Sequence, residues 1–207
     1  MSKSPHYSAL VGTNADIFPT ILDIYLKDGS TIADVTYGKG VFWRNVDLTK
    51  YKLLATDLKD GIDLTNLPYQ DHSLDGLVLD PPYMPTEYTG VNQVKEYYGI
   101  DRKFDPNKKW HRAVYSIYED GIREANRVLN KDGVLLVKCQ DMVCSNKQML
   151  VHCDLINYAK TWFRCEDLFV LVQNMKRKHP QKNQVHARKN HSYFLVFVRN
   201  GRKWGGK

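Results

Sequence analysis

Asp80-Pro81-Pro82-Tyr83 closes the apolar run Leu77-Val78-Leu79, and it is the stretch of the chain best equipped for chemistry. An apolar run that ends abruptly in an acid and two prolines predicts a buried parallel strand with a stiff elbow, because a proline pair cannot donate ladder hydrogen bonds. In open α/β sheets, ligands bind in the crevice beyond the carboxyl ends of the strands. The elbow sets one carboxylate, one proline carbonyl and one aromatic ring at such a crevice. That set suits a planar substrate carrying an exocyclic amine. Asp80 and the Pro81 carbonyl can each accept one N–H of the amine, and Tyr83 can stack on the ring. Accepting both protons localises a nitrogen lone pair that is otherwise conjugated into the ring, which makes it a usable nucleophile. A strand ending in a Pro-Pro turn is also a plain structural stop, so the rest of the chain must decide between the two.

The elements that would position this elbow recur as strands and helices in alternation. Ile17, Phe18, Ile21, Leu22 and Leu26 have helical spacing behind the cap residues Asn14 and Asp16. A β-rich strand over 31–36 then runs into Tyr37-Gly38-Lys39-Gly40, where glycines permit positive φ and close approach of a ligand. Only about a dozen residues separate Gly40 from a strand at 53–57, so any helix in 41–46 is short. Residues 61–64 read as an edge strand or turn, and 76–80 as the strand of the elbow. The strongest helical period covers 110–129, followed by a buried strand at 134–137. A second helix is expected over 147–163, and two late strands, 167–172 and 193–199, are expected to pair antiparallel at one edge. The pattern predicts a mostly parallel sheet covered on both faces.

Acids or acid-ended turns therefore follow successive strands: Asp34 with its glycines, Asp57, Asp63 and Asp80. An acid after the second strand is placed to accept both hydroxyls of a ribose. Asp63 could accept from an adenine amine, and Gly38 and Gly40 could admit a cofactor's amino-acid end. Asp57 and Asp63 could equally be ordinary turn acids. Thr13 and Asn14 are candidates for a cofactor carboxylate, although helix capping explains them as well. Lys138, Gln140 and Asp141 follow a central strand and should open onto the same crevice. A dinucleotide fingerprint would need glycine or alanine at position 43, which is Trp43, and no P-loop occurs.

Asp34-Val35-Thr36-Tyr37-Gly38-Lys39-Gly40, Asp57, Asp63 and Asp80-Pro81-Pro82-Tyr83 resemble the ordered motifs of the S-adenosylmethionine-dependent DNA adenine-N6/cytosine-N4 methyltransferases. The ending 187–197 is similar to the last hairpin of small members of that family. The resemblance spans 7–199 and is most specific at the Asp80 tetrapeptide. The family commonly has Pro and Phe where this chain has Val35 and Thr36. The resemblance implies a Rossmann-like, seven-stranded doubly wound sheet with a C-terminal antiparallel hairpin. It implies S-adenosyl-L-methionine held by Asp34, Thr36, Gly38, Gly40, Asp57, Leu58, Asp63, Leu64 and Asp80, with Thr13 and Asn14. It implies capture of the target base by Asp80, Pro81, Pro82 and Tyr83. An acid at the first tetrapeptide position is commoner in the adenine enzymes, so transfer to adenine N6 in DNA is the expected activity. An RNA or cytosine-N4 enzyme and a catalytically silent nucleic-acid-binding subunit are the alternatives.

The charge distribution points the same way. From Asn174 to the end there are ten Lys or Arg residues and no acid, while the first 173 residues hold 20 basic residues against 23 acids, a net of −3. A near-neutral body with a basic end suggests a polyanionic partner, with Lys176, Arg177, Lys178, Arg188 and Lys189 as its phosphate contacts. A solvated basic face is the plainer reading. Residues 1–207 are expected to be one domain, with a lid or substrate loop at 84–110, a basic loop at 174–190 and no separate target-recognition domain. A second copy or a partner subunit would then supply target recognition. Cys139, Cys144, Cys153 and Cys165 lack zinc spacing and are expected to be reduced core residues in a cytoplasmic chain. His186 and His191 have no matching ligands in the sequence, so no metal is assigned. No apolar run approaches the roughly 20 residues needed to span a bilayer.

Overall fold

The apolar spacing that begins at Ile17 forms α1 (Asn14–Tyr25), buried along Ile17, Phe18, Ile21 and Leu22. Its N-terminus is closed by Asp16, whose Oδ2 accepts from the Thr13 backbone N–H at 2.8 Å and from the Thr13 hydroxyl at 2.7 Å. The computed structural model describes residues 5–81, 110–144, 146–173 and 185–200. Pro82, Tyr83, the stretch 84–109 and Lys176, Arg177 and Lys178 lie outside the described residues.

The strands are β1 (Ala9–Val11), β2 (Thr31–Asp34), β3 (Lys52–Ala55), β4 (Leu74–Leu79), β5 (Leu129–Cys139), β6 (Met142–Cys144), β7 (Lys147–Met149), β8 (Phe163–Val172) and β9 (His191–Arg199). The other helices are α2 (Trp110–Val128) and α3 (Val151–Ala159). Seven strands form one sheet in the order β1-β8-β9-β5-β4-β2-β3, and β6 and β7 form a separate hairpin. The β2–β3, β2–β4, β4–β5 and β1–β8 pairs are parallel, whereas β9 is antiparallel to both β5 and β8. The doubly wound, mostly parallel sheet expected from the alternation of elements is therefore present. Its two faces carry separate cores. Ile17, Phe18, Ile21, Trp43, Val78, Leu136 and Phe194 fill the α1 side, and Leu77, Leu79, Tyr118, Ile122, Val137, Leu155 and Phe197 fill the α2/α3 side.

Four details differ from the sequence reading. The stretch 61–64 takes the turn form of the two expected, but the outer edge beyond β8 is taken by β1, which the sequence reading did not name. β1 is apolar, Ala9-Leu10-Val11, but three residues are too few for a strand period to be read. The late strands pair antiparallel, but β9 is inserted between β5 and β8 rather than lying at the edge. The helix expected over 147–163 divides into β7 and α3, because Asn146 takes a left-handed φ of 59° and turns β6 back onto β7. Of the cysteines, Cys139 and Cys144 are buried, Cys165 is partly buried and Cys153 is exposed, so only two are core residues. Among the described residues no helix is long and apolar enough to cross a membrane.

Candidate active site

The chain leaves β2 for β3 on one side of the sheet and then returns to β4 on the other. The crevice beyond the carboxyl ends of β2 and β4 is thus the topological switch point, where open α/β sheets hold ligands. Asp34 ends β2 and Asp80 follows β4, so the two acids anticipated from the sequence meet there.

Asp34 is buried and satisfied on both oxygens. Its Oδ2 accepts from the Trp43 indole Nε1 at 2.7 Å, and its Oδ1 accepts from the Thr36 N–H at 3.0 Å and the Thr36 hydroxyl at 3.3 Å. Burial nonetheless pushes its carboxyl up to about 7, against the Trp43 and Thr36 donors, with the Asp80 charge adding to the rise. The Thr36 hydroxyl also accepts the Asp80 backbone N–H at 2.8 Å. One side chain therefore locks the end of β4 to the end of β2, which gives a physical role to a threonine where the family commonly has another residue. Trp43 was not singled out as functional by the sequence, where it served only to exclude a dinucleotide fingerprint. An aromatic donor three residues after Gly40 was the available signal.

The glycine loop is fixed from β3. Asp57 Oδ2 accepts the Gly38 N–H at 2.8 Å, its Oδ1 accepts the Lys59 N–H at 3.3 Å, and Lys59 Nζ donates to the Gly38 carbonyl at 2.9 Å. Asp57 is thus a clamp on the loop as well as a ribose candidate; a carboxylate has about four lone-pair sites, so acceptor capacity remains. Gly38 and Gly40 both have positive φ, 54° and 64°. A Cβ on Gly38 would meet nothing nearer than the Thr36 carbonyl at 3.8 Å, which leaves room for a ligand. A Cβ on Gly40 would fall 2.5 Å from the Tyr37 hydroxyl, so the space at Gly40 is filled by this chain itself.

The other predicted cofactor residues separate into two groups. Leu58 opens a 3₁₀ turn capped by Asp57, and Asp63 is exposed with Oδ1 on the Thr65 N–H at 2.8 Å. Leu64 is buried in the α2-side core against Gly121, so it does not face the crevice. Thr13 and Asn14 line an open hollow of about 390 Å³ together with Val11, Gly12, Val41 and Gln173. The Asn14 Oδ1 there is buried and has no hydrogen-bond partner. An orphaned acceptor beside the end of the glycine loop fits the ammonium end of an amino-acid moiety, since such acceptors are costly to leave unmade.

On the substrate side, Pro81 is buried and Asp80 is partly exposed, as an elbow at the rim requires. Lys138 does not open to solvent. It is 4% exposed, with Nζ 4.0 Å from Asp80 Oδ1 and 5.5 and 5.8 Å from the ring centres of Phe42 and Phe194. Gln140 Nε2 donates to the His191 carbonyl at 2.7 Å, which ties the end of β5 to β9. Asp141 pairs with His152 Nδ1 at 2.7 Å on the α3 side. Arg188 and Lys189 lie just before β9, and Gln173 N–H donates to the Asn190 carbonyl at 2.7 Å across the base of that connection. The connection therefore leaves the sheet at the same rim as Asp80, because β8 runs in the direction of β4 and β5.

Comparison with known proteins agrees with this geometry. A family model described as DNA methylase, for N6/N4 methyltransferases, matches residues 74–205. No curated protein matches the chain. TrmN from Thermus thermophilus superposes with a TM-score of 0.52 at 13% identity, covering 88% of this chain and 48% of its own. A second Thermus thermophilus protein, TTHA0409, provisionally named a DNA modification methylase, aligns with a TM-score of 0.43 at 17% identity, covering 68% of this chain and 52% of its own. The chain spans about half the length of these two proteins. The family match covers well over half of the chain and includes both β4 and the elbow that follows it. The chain belongs to the N6/N4 DNA methylase family of amino-methyltransferases, whose methyl donor is S-adenosyl-L-methionine.

Proposed function

We propose that this protein methylates the exocyclic N6 amine of adenine in DNA. The observation that carries the reading is the placement of Asp80 and Pro81 beyond β4 at the switch point, locked through Thr36 to the buried Asp34. S-Adenosylmethionine, when bound, supplies an electrophilic methyl carbon. Asn14, Gly38 and Asp57 are the residues that would hold it, through the orphaned Asn14 acceptor, the open space at Gly38 and the remaining lone pairs of Asp57.

Asp80 and the Pro81 carbonyl accept the two N–H bonds of the target amine. That holds the nitrogen lone pair out of conjugation and in line for attack. As the N–C bond forms at the expense of the methyl–sulfur bond, whose electron pair stays on sulfur, the nitrogen becomes positive, and the same two acceptors stabilise that charge where it develops. No base has to remove a proton beforehand, since the proton is more acidic after methylation and then leaves to water. In duplex DNA the adenine must leave the stack, which costs a few kcal/mol. Stacking on Tyr83, worth about 1–3 kcal/mol, would offset part of that. The basic connection between β8 and β9 leaves the sheet three strand spacings from β4, about 14 Å. That separation lets long cationic side chains hold phosphates flanking a base seated at Asp80.

The test is incubation with methyl-labelled donor and separate DNA, RNA and protein pools, followed by nucleoside and amino-acid analysis. Label in N6-methyladenine from DNA is the expected result. Label in N4-methylcytosine or in RNA would redirect the substrate assignment. A folded, donor-binding protein that labels no pool would overturn the proposal.

A further inference from the structure

Lys138 is a buried lysine that methyl transfer does not by itself require. Sheet register places it: Leu79 on β4 is aligned with Val137 on β5, so Asp80 and Lys138 come next on neighbouring strands. Both project to the α1 side, where Phe42 from the turn after the glycine loop and Phe194 from β9 flank the ammonium. Burying an ammonium this far from water is expensive unless a charge partner answers it. The Asp80 carboxylate, 4.0 Å away, is that partner.

We propose that Lys138 is a positioning residue for Asp80, its ammonium keeping that side chain ionised and turned to accept the N–H bonds of the target amine. The chemical consequence rests on the methyl-transfer reading above; the charge pairing does not. Among the described residues, Asp34 at the end of β2 shares the α1 face with this pair, while the Cys139 thiol lies on the opposite face of β5. Burial holds the Lys138 amine below its usual range and Asp80 opposes that, while Asp34 and Asp80 each disfavour a second negative charge. Without the ammonium, two carboxyl groups would compete for charge in one crevice. Asp80 would then retain its proton to higher pH, and a protonated acid offers one acceptor fewer to the amine.

The test compares the parent with Lys138→Met and Lys138→Gln, the second serving if the first fails to fold. The Asp80 carboxyl is followed by carbon-13 NMR, its resonance assigned by loss in Asp80→Asn. Its midpoint is expected to rise by at least one pH unit in the lysine variant, with donor affinity by calorimetry within about twofold of the parent. The acid limb of kcat/KM should move up by the same interval, so that below both midpoints the variant loses about tenfold for each pH unit of that move, a loss recovered as pH rises above the variant's midpoint. A folded variant whose Asp80 titrates where the parent's does overturns the proposal, as does a pH-independent loss of activity. If the parent transfers no methyl group, the proposed function fails, and the carboxyl titration still judges Lys138.

Discussion

Trp43→Phe probes the buried acid at the centre of the site. Trp43 and Asp34 are both buried, and the indole donates to Asp34 Oδ2 at 2.7 Å. The Asp34 carboxyl is raised from 3.8 to about 7, chiefly by burial. Below about pH 4 the acid is protonated in folded and unfolded chains alike and costs nothing. As pH climbs toward 7 the unfolded chain has released the proton while the folded chain still holds it, so stability falls through this window. A rise of about three units corresponds to about 4 kcal/mol once the folded acid is fully ionised. Removing the indole N–H raises the carboxyl further, because a donor to the charged form is lost. At pH 5 the variant should lose packing, including the edge contact with Phe18 at 5.1 Å between ring centres, about 1–2 kcal/mol, and the indole's bond to a neutral acid, about 0.5–1.5 kcal/mol. At pH 8.5 the same bond is to a charged acceptor, worth about 1.5–3 kcal/mol, so the penalty should grow by about 1–1.5 kcal/mol. Urea unfolding followed by far-ultraviolet circular dichroism at both pH values measures the two penalties, and other titrating groups cancel in the comparison. Equal penalties at pH 5 and 8.5 would show that the indole does not bear on the Asp34 charge.

Asp57→Ala should weaken donor binding about tenfold or more by freeing the Gly38 loop, and should cost about 1–3 kcal/mol of stability from the N–H left unpaired; calorimetry and urea unfolding read the two, and unchanged donor affinity removes Asp57 from the site. Asp80→Ala should lower methyl transfer by at least about a hundredfold, as for loss of a preorganised electrostatic group, while binding donor nearly as the parent does. Turnover at the parent rate would rule out the proposed mechanism. Replacing Lys176, Arg177 and Lys178 together by Gln should flatten the plot of log K against log salt for DNA by about two to three units; a slope equal to the parent's would mark that run as a solvated face. Thr36→Val should cost about 1–3 kcal/mol, since the Asp80 N–H loses its acceptor, and a stability within about 0.5 kcal/mol of the parent would show that water replaces the hydroxyl.

The local signals in the sequence determined a good deal by themselves. An apolar run stopped by two prolines predicts where a strand must end, and β4 does end at Leu79, because proline has no N–H to donate. Helical spacing from Ile17 to Leu22 and from Val114 to Leu129 placed α1 and α2, and the alternation of elements gave a doubly wound sheet, which in turn set the crevice at the strand ends. Each of these rests on residues adjacent in sequence or within a turn of one another. What the tertiary structure decided depends on pairings between distant segments. Local pattern could not show that β1 would cover β8 or that β9 would enter between β5 and β8, since edge pairing is made by backbone groups that every residue carries. Spacing likewise could not distinguish Leu64, which turns into the core, from Asp63, which does not. The roles of Asp57 on Gly38 and of Lys138 on Asp80 arise between strand ends, and that of Trp43 on Asp34 between a strand end and the 3₁₀ turn that follows it. A charged or polar side chain buried at a strand end must find its partner there, and the sheet register, not the sequence around it, chooses which partner is within reach.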